Sequence, residues 1–276
     1  MKPAPLWGEA WSLWAHRLQL ARAIALFSDF DGTLSPIVRH ARRARLPEPT
    51  RRLLARLARQ PQVFVGIVSG RPVAELRQLV RLSRLAYVGI HGIEVAWPGQ
   101  RVVSLANAAD RARVEAARRK LEKALGDLKG LWLEPKSASV AVHFRNAPAR
   151  AQPRIEREVR GVVREARGQL VLQRGKKVLE LLPALGASKA AAVARMLGRL
   201  PRRLGGRPLP LYLGDDRTDE TVFERLGNRG LTILVGRGRR EEETPRAGSA
   251  AQYWVADATE VRRFLHELLA ARRAKR

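Results

Sequence analysis

The feature that most constrains the fold is an alternation of apolar, strand-like runs with helix-like segments. The first hundred residues contain the runs AIALFSDF, VFVGIVSG and LAYVGIHG, and helices are predicted between them over 50–59 and 72–82. The same rhythm returns later with LPLYLGDD and LTILVG, a preceding helix over 188–197 and a closing helix over 259–271. This alternation is typical of a parallel sheet with crossover helices. The sequence therefore predicts an α/β protein with a Rossmann-like parallel-sheet core.

A stretch of different rhythm separates these two parts. A helix predicted over 110–125 precedes the runs LWLEPKSA and SVAVHFR, and a second helix over 154–167 precedes LVLQRG and KVLELLP. Two helix-strand-strand units in series predict a small α+β domain with an antiparallel sheet. We therefore expect a core formed by 1–104 and 178–276, with an inserted cap domain over 105–177.

Two carboxylates follow the first apolar run, where the sequence reads FSDFDGTLSP. Residues two apart in an extended strand point the same way, so Asp29 and Asp31 would emerge together at the end of the strand. Their repulsion requires a proton or a cation for compensation. For an isolated pair, an Asp-Gly surface turn would be the better explanation, so the remaining motifs decide between the two interpretations.

Other polar groups also fall at predicted strand ends or helix starts. VFVGIVSGR ends with Ser69, Gly70 and Arg71, a predicted helix start carries Lys189, and LPLYLGDDRTDE carries three further acids, Asp215, Asp216 and Asp219. Each motif alone could be a turn or a helix cap. In a parallel sheet, however, the site lies beyond the carboxyl ends of the strands, and the combination indicates phosphoryl transfer.

The chemistry of a phosphate monoester explains these residue types. A carboxylate can attack the doubly charged ester only if a cation and hydrogen-bond donors neutralise the approaching charges. Mg²⁺ suits this task because it prefers oxygen ligands from one or two carboxylates and a phosphate. We expect Asp29 and Asp215 to be its direct ligands.

The motifs DFDGTL, IVSGR, Lys189 and GDDRTDE, in this order, resemble the four motifs of the haloacid dehalogenase-like superfamily. The resemblance implies that Asp29 is the nucleophile that forms an aspartyl phosphate. It also implies that Asp31 protonates the leaving oxygen, later activates water, and ligates Mg²⁺ through its backbone carbonyl.

The same resemblance assigns the remaining core residues. It implies that Ser69 and Lys189 hold the phosphoryl oxygens, and that Asp215 binds the metal. Asp216 would bind the metal directly or lie next to its ligands, and Asp219 would orient Lys189.

The position of the inserted domain after the second motif resembles the subclass with a C2-type cap. Within it, GIHGIE, EPKSASVAVHFR and GDDRTDE resemble the trehalose-6-phosphate phosphatase family. The resemblance implies that the substrate is trehalose 6-phosphate, and that cap residues contact its sugar. The expected substrate-binding residues are Glu134, Lys136, Arg145 and Glu180 of the inserted region, with Gly70 and Arg71 of the core.

Two alternatives remain open at this point. One is a phosphatase for another sugar phosphate, such as sucrose phosphate, or a sugar phosphomutase, although these relatives usually lack paired acids followed by Thr-Asp-Glu. The other is a nucleic-acid-binding protein, because the formal net charge is +27. The arginines are scattered along the chain rather than forming one motif with interleaved aromatic residues, so no nucleic-acid partner is expected.

Composition limits the remaining possibilities. The chain contains no cysteine, which excludes disulfides and thiolate chemistry and leaves oxygen or histidine as metal ligands. Neither a signal peptide nor a transmembrane helix is apparent, and we expect a cytoplasmic monomer. Trp7, Trp11 and Trp14 have helical spacing, which predicts a helix that packs against the body of the protein.

Overall fold

The computed structural model describes residues 3–38, 43–175, 177–236 and 248–273. The chain divides into two compact units, which are Met1–Val103 with Ser188–Arg276, and Ser104–Ala187. Parts of the basic runs RHARRAR, GRGRR and ARRAKR lie outside the described residues. No helix among the described residues is long and apolar enough to cross a membrane.

The described residues form two sheets and the helices around them. In chain order the strands are β1 Ala4–Pro5, β2 Ile24–Ser28, β3 Val63–Val68, β4 Ala86–Gly89, β5 Glu94–Ala96, β6 Val103–Ser104, β7 Trp132–Pro135, β8 Val140–His143, β9 Leu170–Gly175, β10 Val178–Pro183, β11 Leu209–Gly214, β12 Leu231–Val235 and β13 Tyr253–Val255. The α-helices are α1 Glu9–Leu20, α2 Glu48–Leu57, α3 Val73–Val80, α4 Ala108–Leu125, α5 Gln152–Glu165, α6 Lys189–Arg199, α7 Pro201–Leu204, α8 Arg217–Leu226 and α9 Ala258–Arg273.

The first unit is built on a nine-stranded sheet with the order β1-β13-β12-β11-β2-β3-β4-β5-β6. Its central strand, β2, pairs in parallel with β11 on one side and with β3 on the other. The pairing turns antiparallel only beyond β4, where β5 begins the far edge. The carboxyl ends of β11, β2 and β3 therefore lie side by side, which confirms the predicted parallel-sheet core.

The central strands are apolar because both of their faces are covered. Every residue of β2 and β3 is buried, as is usual when helices pack on both sides of a parallel sheet. Alternate residues of β2 face opposite layers, so Leu26 packs in one hydrophobic cluster with Phe264 of α9, while Phe27 packs in another with Phe223 of α8.

The helix that carries Trp11 and Trp14 packs against the body of the first unit, as their spacing predicts, but α1 begins at Glu9 and Trp7 precedes it. Trp14 of α1 is buried, and its ring meets Tyr253 edge-on at a centroid distance of 6.4 Å. Trp11 meets Phe264 of α9 in the same manner at 6.0 Å. These contacts give the aromatic face of α1 a packing role.

The second unit contains a four-stranded antiparallel sheet with the order β7-β8-β10-β9. Helices α4 and α5 cover one face, where Leu121 and Ile155 pack against Val142 and Leu181. The inserted α+β unit is therefore present as predicted.

The expected carboxyl boundary of the inserted unit was too early. The sequence pattern places residues from 178 onward in the core, but β10 pairs with both β8 and β9 in the antiparallel sheet. Its backbone donors and acceptors are satisfied by those strands, so the compact unit continues to Ala187. The other boundary, at Ser104, lies next to the expected one.

Candidate active site

The ends of three neighbouring strands provide the candidate site of the first unit. Asp29 follows β2, Ser69 follows β3, and Asp215 follows β11. The backbone N–H of Asp29 donates to the Leu213 carbonyl at 2.8 Å, which continues the pairing of β2 with β11. The sheet therefore delivers these polar side chains to one edge, where ligands bind in parallel α/β folds.

A buried lysine joins the first carboxylate to the last motif. Lys189 is the first residue of α6, and its side chain is 3% exposed. Its ammonium donates to Oδ1 of Asp29 at 2.9 Å and to Oδ1 of Asp219 at 2.8 Å. Two anions within hydrogen-bond distance outweigh burial and raise the pKa of Lys189, so the lysine remains charged in the site.

Asp219 organises the loop that follows β11. Besides Lys189, its Oδ1 accepts the Tyr212 hydroxyl at 2.7 Å, and its Oδ2 accepts the backbone N–H groups of Asp215 and Asp216 at 3.1 and 3.0 Å. Four donors thus converge on one fully buried carboxylate. This geometry orients the lysine and fixes the position of Asp215.

Three carboxylates lie close enough together to hold a metal ion. One oxygen each from Asp29, Asp215 and Asp219 lies within 4.8 Å of the others. Burial and the neighbouring acids raise the pKa of Asp29 to about 7, against the opposing charge of Lys189. Burial and the charges of Asp29 and Asp219 likewise raise the pKa of Asp215 well above its usual value.

The crowding of these acids fits a hard divalent cation, since all donors are oxygens and a cation would relieve their repulsion. Asp219 already accepts four hydrogen bonds. Asp29 and Asp215 are therefore the better-suited ligands.

A glycine allows the two acidic loops to approach one another. A Cβ placed on Gly32 would lie 2.1 Å from Oδ2 of Asp215, and its φ of +84° also disfavours a side chain. The adjacent Thr33 hydroxyl donates to Oδ1 of Asp215 at 3.3 Å. The glycine of DFDGTL is thus required by the packing of this loop against Asp215.

The cluster of three carboxylates does not include the side chain of Asp31, which was expected to contribute its backbone carbonyl, or that of Asp216. The side chain of Asp31 accepts two hydrogen bonds from Arg71. Asp216 is the N-cap of α8, and its carboxylate accepts from the backbone N–H of Arg217 at 2.7 Å. The structure therefore places the first acid in an ion pair and the second at a helix start.

The loop after β3 packs tightly against the β4–β5 connection. A Cβ on Gly70 would lie 2.6 Å from Nε2 of His91, while the backbone N–H of His91 donates to the Ser69 carbonyl at 3.1 Å. Glu94 accepts the Val73 N–H at 2.8 Å and so caps the start of α3. His91 and Glu94, from the β4–β5 region, therefore hold the Ser69 loop and the start of α3 in place.

The inserted unit carries a polar cluster on the sheet face opposite its helices. Glu134 of β7 and Glu180 of β10 both lie opposite Ala141 of β8. Lys136 donates to Glu180 at 2.9 Å, and the Ser139 hydroxyl donates to the same oxygen at 2.6 Å. The structure therefore brings three of the four expected inserted-unit residues into one group.

Two further features of this face concern Glu134 and Arg145. Glu134 lies 2.9 Å from Nε2 of His143, whose ring stacks on Trp132 at 4.7 Å. Burial would raise the pKa of Glu134, but the His143 hydrogen bond and the charge of Lys136 lower it on balance. Arg145 lies two residues beyond β8 and is exposed.

The trehalose-phosphatase family model matches residues 27–258 of the chain. Among curated proteins, the chain is 37% identical over 230 residues to "Trehalose-phosphate phosphatase" of Mycobacterium marinum, a match covering 82% of this chain and 56% of that protein. It is 33% identical over 262 residues to "Trehalose 6-phosphate phosphatase RA3" of Zea mays, covering 90% and 70%. The chain belongs to the trehalose-phosphatase family. It spans little more than half the length of the mycobacterial relative.

Solved structures agree on the fold. The C-terminal domain of Candida albicans trehalose-6-phosphate phosphatase superimposes with a TM-score of 0.83 at 21% identity, covering 98% of this chain and 99% of that one. A haloacid dehalogenase-like hydrolase from Bacteroides thetaiotaomicron has a TM-score of 0.63 at 15% identity, covering 89% and 99%. The haloacid dehalogenase-like fold expected from the motifs is therefore confirmed.

Several polar residues of these sites were not identified from the sequence. Tyr212 is a lone hydroxyl in the apolar strand LPLYLG, and Ser139 lies within the loop PKSAS. The role of Glu75 as a partner of Arg71 also had no sequence signal beyond its i,i+4 spacing. Tyr212 and Ser139 act through contacts with other elements, which explains why local pattern could not reveal them.

Proposed function

We propose that this chain hydrolyses trehalose 6-phosphate to trehalose and phosphate, with Mg²⁺ and through a phosphorylated Asp29. The observation that carries the proposal is the cluster of Asp29, Lys189, Asp215 and Asp219, three of them buried and Asp215 half-buried, in a trehalose-phosphatase family chain. Carboxylates beside an ammonium form a suitable arrangement for attack on a phosphate ester.

The proposed hydrolysis has two steps, which are phosphorylation of Asp29 and hydrolysis of the phosphorylated residue. A carboxylate oxygen of Asp29 attacks phosphorus, the bond from phosphorus to the sugar oxygen breaks, and Asp31 gives a proton to the leaving oxygen. Water then attacks phosphorus, Asp31 takes its proton, and the bond to Asp29 breaks to release phosphate. Lys189 and Ser69 would hold phosphoryl oxygens, and Asp219 keeps the lysine in place.

Asp29 and Asp215 would hold the Mg²⁺ ion, with the backbone carbonyl of Asp31 and the neighbouring Asp216 as further expected contributors. The raised pKa values of Asp29 and Asp215 support this role, since crowded carboxylates favour a bound cation. When bound, the ion would neutralise negative charge on the phosphoryl group.

The inserted unit would act as a cap that recognises the sugar. Glu134, Lys136 and Glu180 form a fixed group of donors and acceptors, and Arg145 lies near the end of the same sheet. Polyhydroxylated sugars need several such groups, because a carboxylate can accept from neighbouring hydroxyls. The alternative is another sugar phosphate, for which the same cluster could also serve.

The decisive experiment is phosphate release with Mg²⁺ from trehalose 6-phosphate, sucrose 6-phosphate, glucose 6-phosphate, mannose 6-phosphate and p-nitrophenyl phosphate, with and without EDTA. We expect a marked preference for the first substrate, abolished by EDTA. Preference for another sugar would change the substrate and keep the mechanism. Absence of activity on every substrate would refute the proposal.

Two sets of variants separate chemistry from recognition. Asp29→Asn should abolish turnover of every substrate, because no nucleophile remains. Glu134→Ala and Lys136→Ala should lower kcat/KM for the sugar phosphate while sparing p-nitrophenyl phosphate. Equal losses on both substrates would contradict a sugar-recognising cap.

Gel filtration tests the expected monomer, and cell fractionation tests the cytoplasmic location.

A further inference from the structure

We propose that Arg71 is a positioning residue that holds the Asp31 carboxylate in place, rather than a contact for the substrate as the sequence led us to expect. This inference rests on the proposed function, in which Asp31 transfers the protons. It pairs the arginine of the IVSGR motif with the second aspartate of the DFDGTL motif, the proposed general acid and base.

The ion pair has the geometry of a specific clamp. Nε of Arg71 donates to Oδ2 of Asp31 at 2.6 Å, and Nη2 donates to Oδ1 at 2.7 Å. Two parallel hydrogen bonds between a planar guanidinium and a carboxylate fix both distance and orientation. The side chain of Arg71 is 9% exposed, whereas that of Asp31 is 44% exposed. The buried partner therefore constrains the accessible one.

Arg71 is itself held on several sides. Its Nη1 donates to Glu75 of α3, so each of the three guanidinium nitrogens donates to a protein carboxylate. Its backbone N–H donates to the Ser69 hydroxyl at 3.2 Å, and its carbonyl accepts the Ile90 N–H at 3.0 Å. These contacts fix the position of Arg71, so that Nε and Nη2 of its guanidinium face the Asp31 carboxylate.

The proposed role follows from the demands of proton transfer. A general acid or base must lie within hydrogen-bond reach of the reacting oxygen, and a displacement of about 1 Å can cost ~100-fold in rate. A half-exposed carboxylate on a loop loses rotamer freedom only if a partner restricts it. Arg71 provides that restriction before substrate arrives.

The kinetic test compares Arg71→Lys, Arg71→Ala and Glu75→Gln with the parent protein. The matched control is Arg154→Lys, because Arg154 forms a similar bidentate pair with Asp127 on the inserted unit, at 2.9 and 3.0 Å. Thermal unfolding and circular dichroism establish that each variant is folded.

We expect kcat for trehalose 6-phosphate to fall about tenfold in Arg71→Lys and about 100-fold in Arg71→Ala. Lysine keeps the positive charge but lacks the two parallel donors of the guanidinium, whereas alanine removes both. KM should change by less than about twofold, and Glu75→Gln should show a smaller loss of kcat. Arg154→Lys should match the parent. A rise in KM with unchanged kcat would overturn the proposal, because it would make Arg71 a substrate contact.

A burst experiment separates positioning from general damage. Release of p-nitrophenol needs little help from an acid, whereas hydrolysis of the phosphorylated Asp29 still needs Asp31. Arg71→Ala should therefore release about one equivalent of p-nitrophenol per site in a fast phase, followed by slow turnover. Equal slowing of both phases would overturn the proposal.

A structural measurement keeps this inference separate from the proposed function. If the parent protein prefers another phosphate ester, the proposed substrate fails, but the same kinetic comparison applies to the preferred ester. A metal-free crystal structure of Arg71→Ala should show the Asp31 carboxylate displaced or in several rotamers. An unmoved, well-ordered Asp31 would contradict the positioning role even if the chain hydrolysed no ester.

Discussion

Replacement of Asp219 by asparagine tests how the site is held together. The change keeps the size of the side chain but removes its charge and turns one acceptor oxygen into an NH₂ donor. That group must then face either Lys189 and the Tyr212 hydroxyl, or the backbone N–H groups of Asp215 and Asp216. Either orientation places donors against donors.

The expected loss follows from these contacts. Two buried N–H groups without an acceptor cost ~1–3 kcal/mol each, and removing one partner of a buried ion pair costs ~3–5 kcal/mol. These contributions overlap, since Lys189 keeps its bond to Asp29. We therefore expect the free energy of unfolding of Asp219→Asn to fall by about 3–5 kcal/mol, with a large loss of activity.

Urea denaturation of the metal-free protein, followed by tryptophan fluorescence, measures this difference. Asp216→Asn is the matched control, because it makes the same chemical change three residues earlier at an N-cap, where asparagine and aspartate are about equally favourable. Its unfolding free energy should change by less than about 0.5 kcal/mol. A loss below about 1 kcal/mol in Asp219→Asn would refute the idea that Asp219 anchors the site.

Three further predictions follow from other contacts. Burial raises the pKa of Asp29 from 3.8 to about 7, so the folded state favours the protonated carboxyl. The stability that protonated Asp29 gives the metal-free protein should be present below about pH 4 and lost as pH rises through 7. Asp29→Asn should reduce this slope in urea titrations at several pH values, and the slope that remains should come from Asp215, whose pKa is also raised. Gly32→Ala should reduce kcat more than tenfold because its Cβ meets Asp215, whereas Gly186→Ala, with positive φ and open space, should keep the parent kcat. Tyr212→Phe should cost about 1 kcal/mol in urea unfolding and keep most of the activity, because Asp219 retains its other donors.

The sequence was most informative where local pattern and function coincide. Apolar runs that end in Asp29 and Asp215 predicted both the parallel strands and the edge at which these acids meet. The same approach predicted the antiparallel sheet of the inserted unit from two helix-strand-strand repeats. It failed at the border after residue 177, because membership of β10 depends on which strands it pairs with rather than on its own composition.

By itself, therefore, the sequence determined the fold class, the order of the motifs and the acids that end the strands, because each depends on periodicity or on neighbouring residues. The tertiary structure decided which side chains meet across distant segments. It pairs Arg71 with Asp31. It also gathers four donors around Asp219, where the sequence had suggested a single lysine partner. These pairings depend on the packing of separate strands and loops, and no local pattern along the chain encodes them.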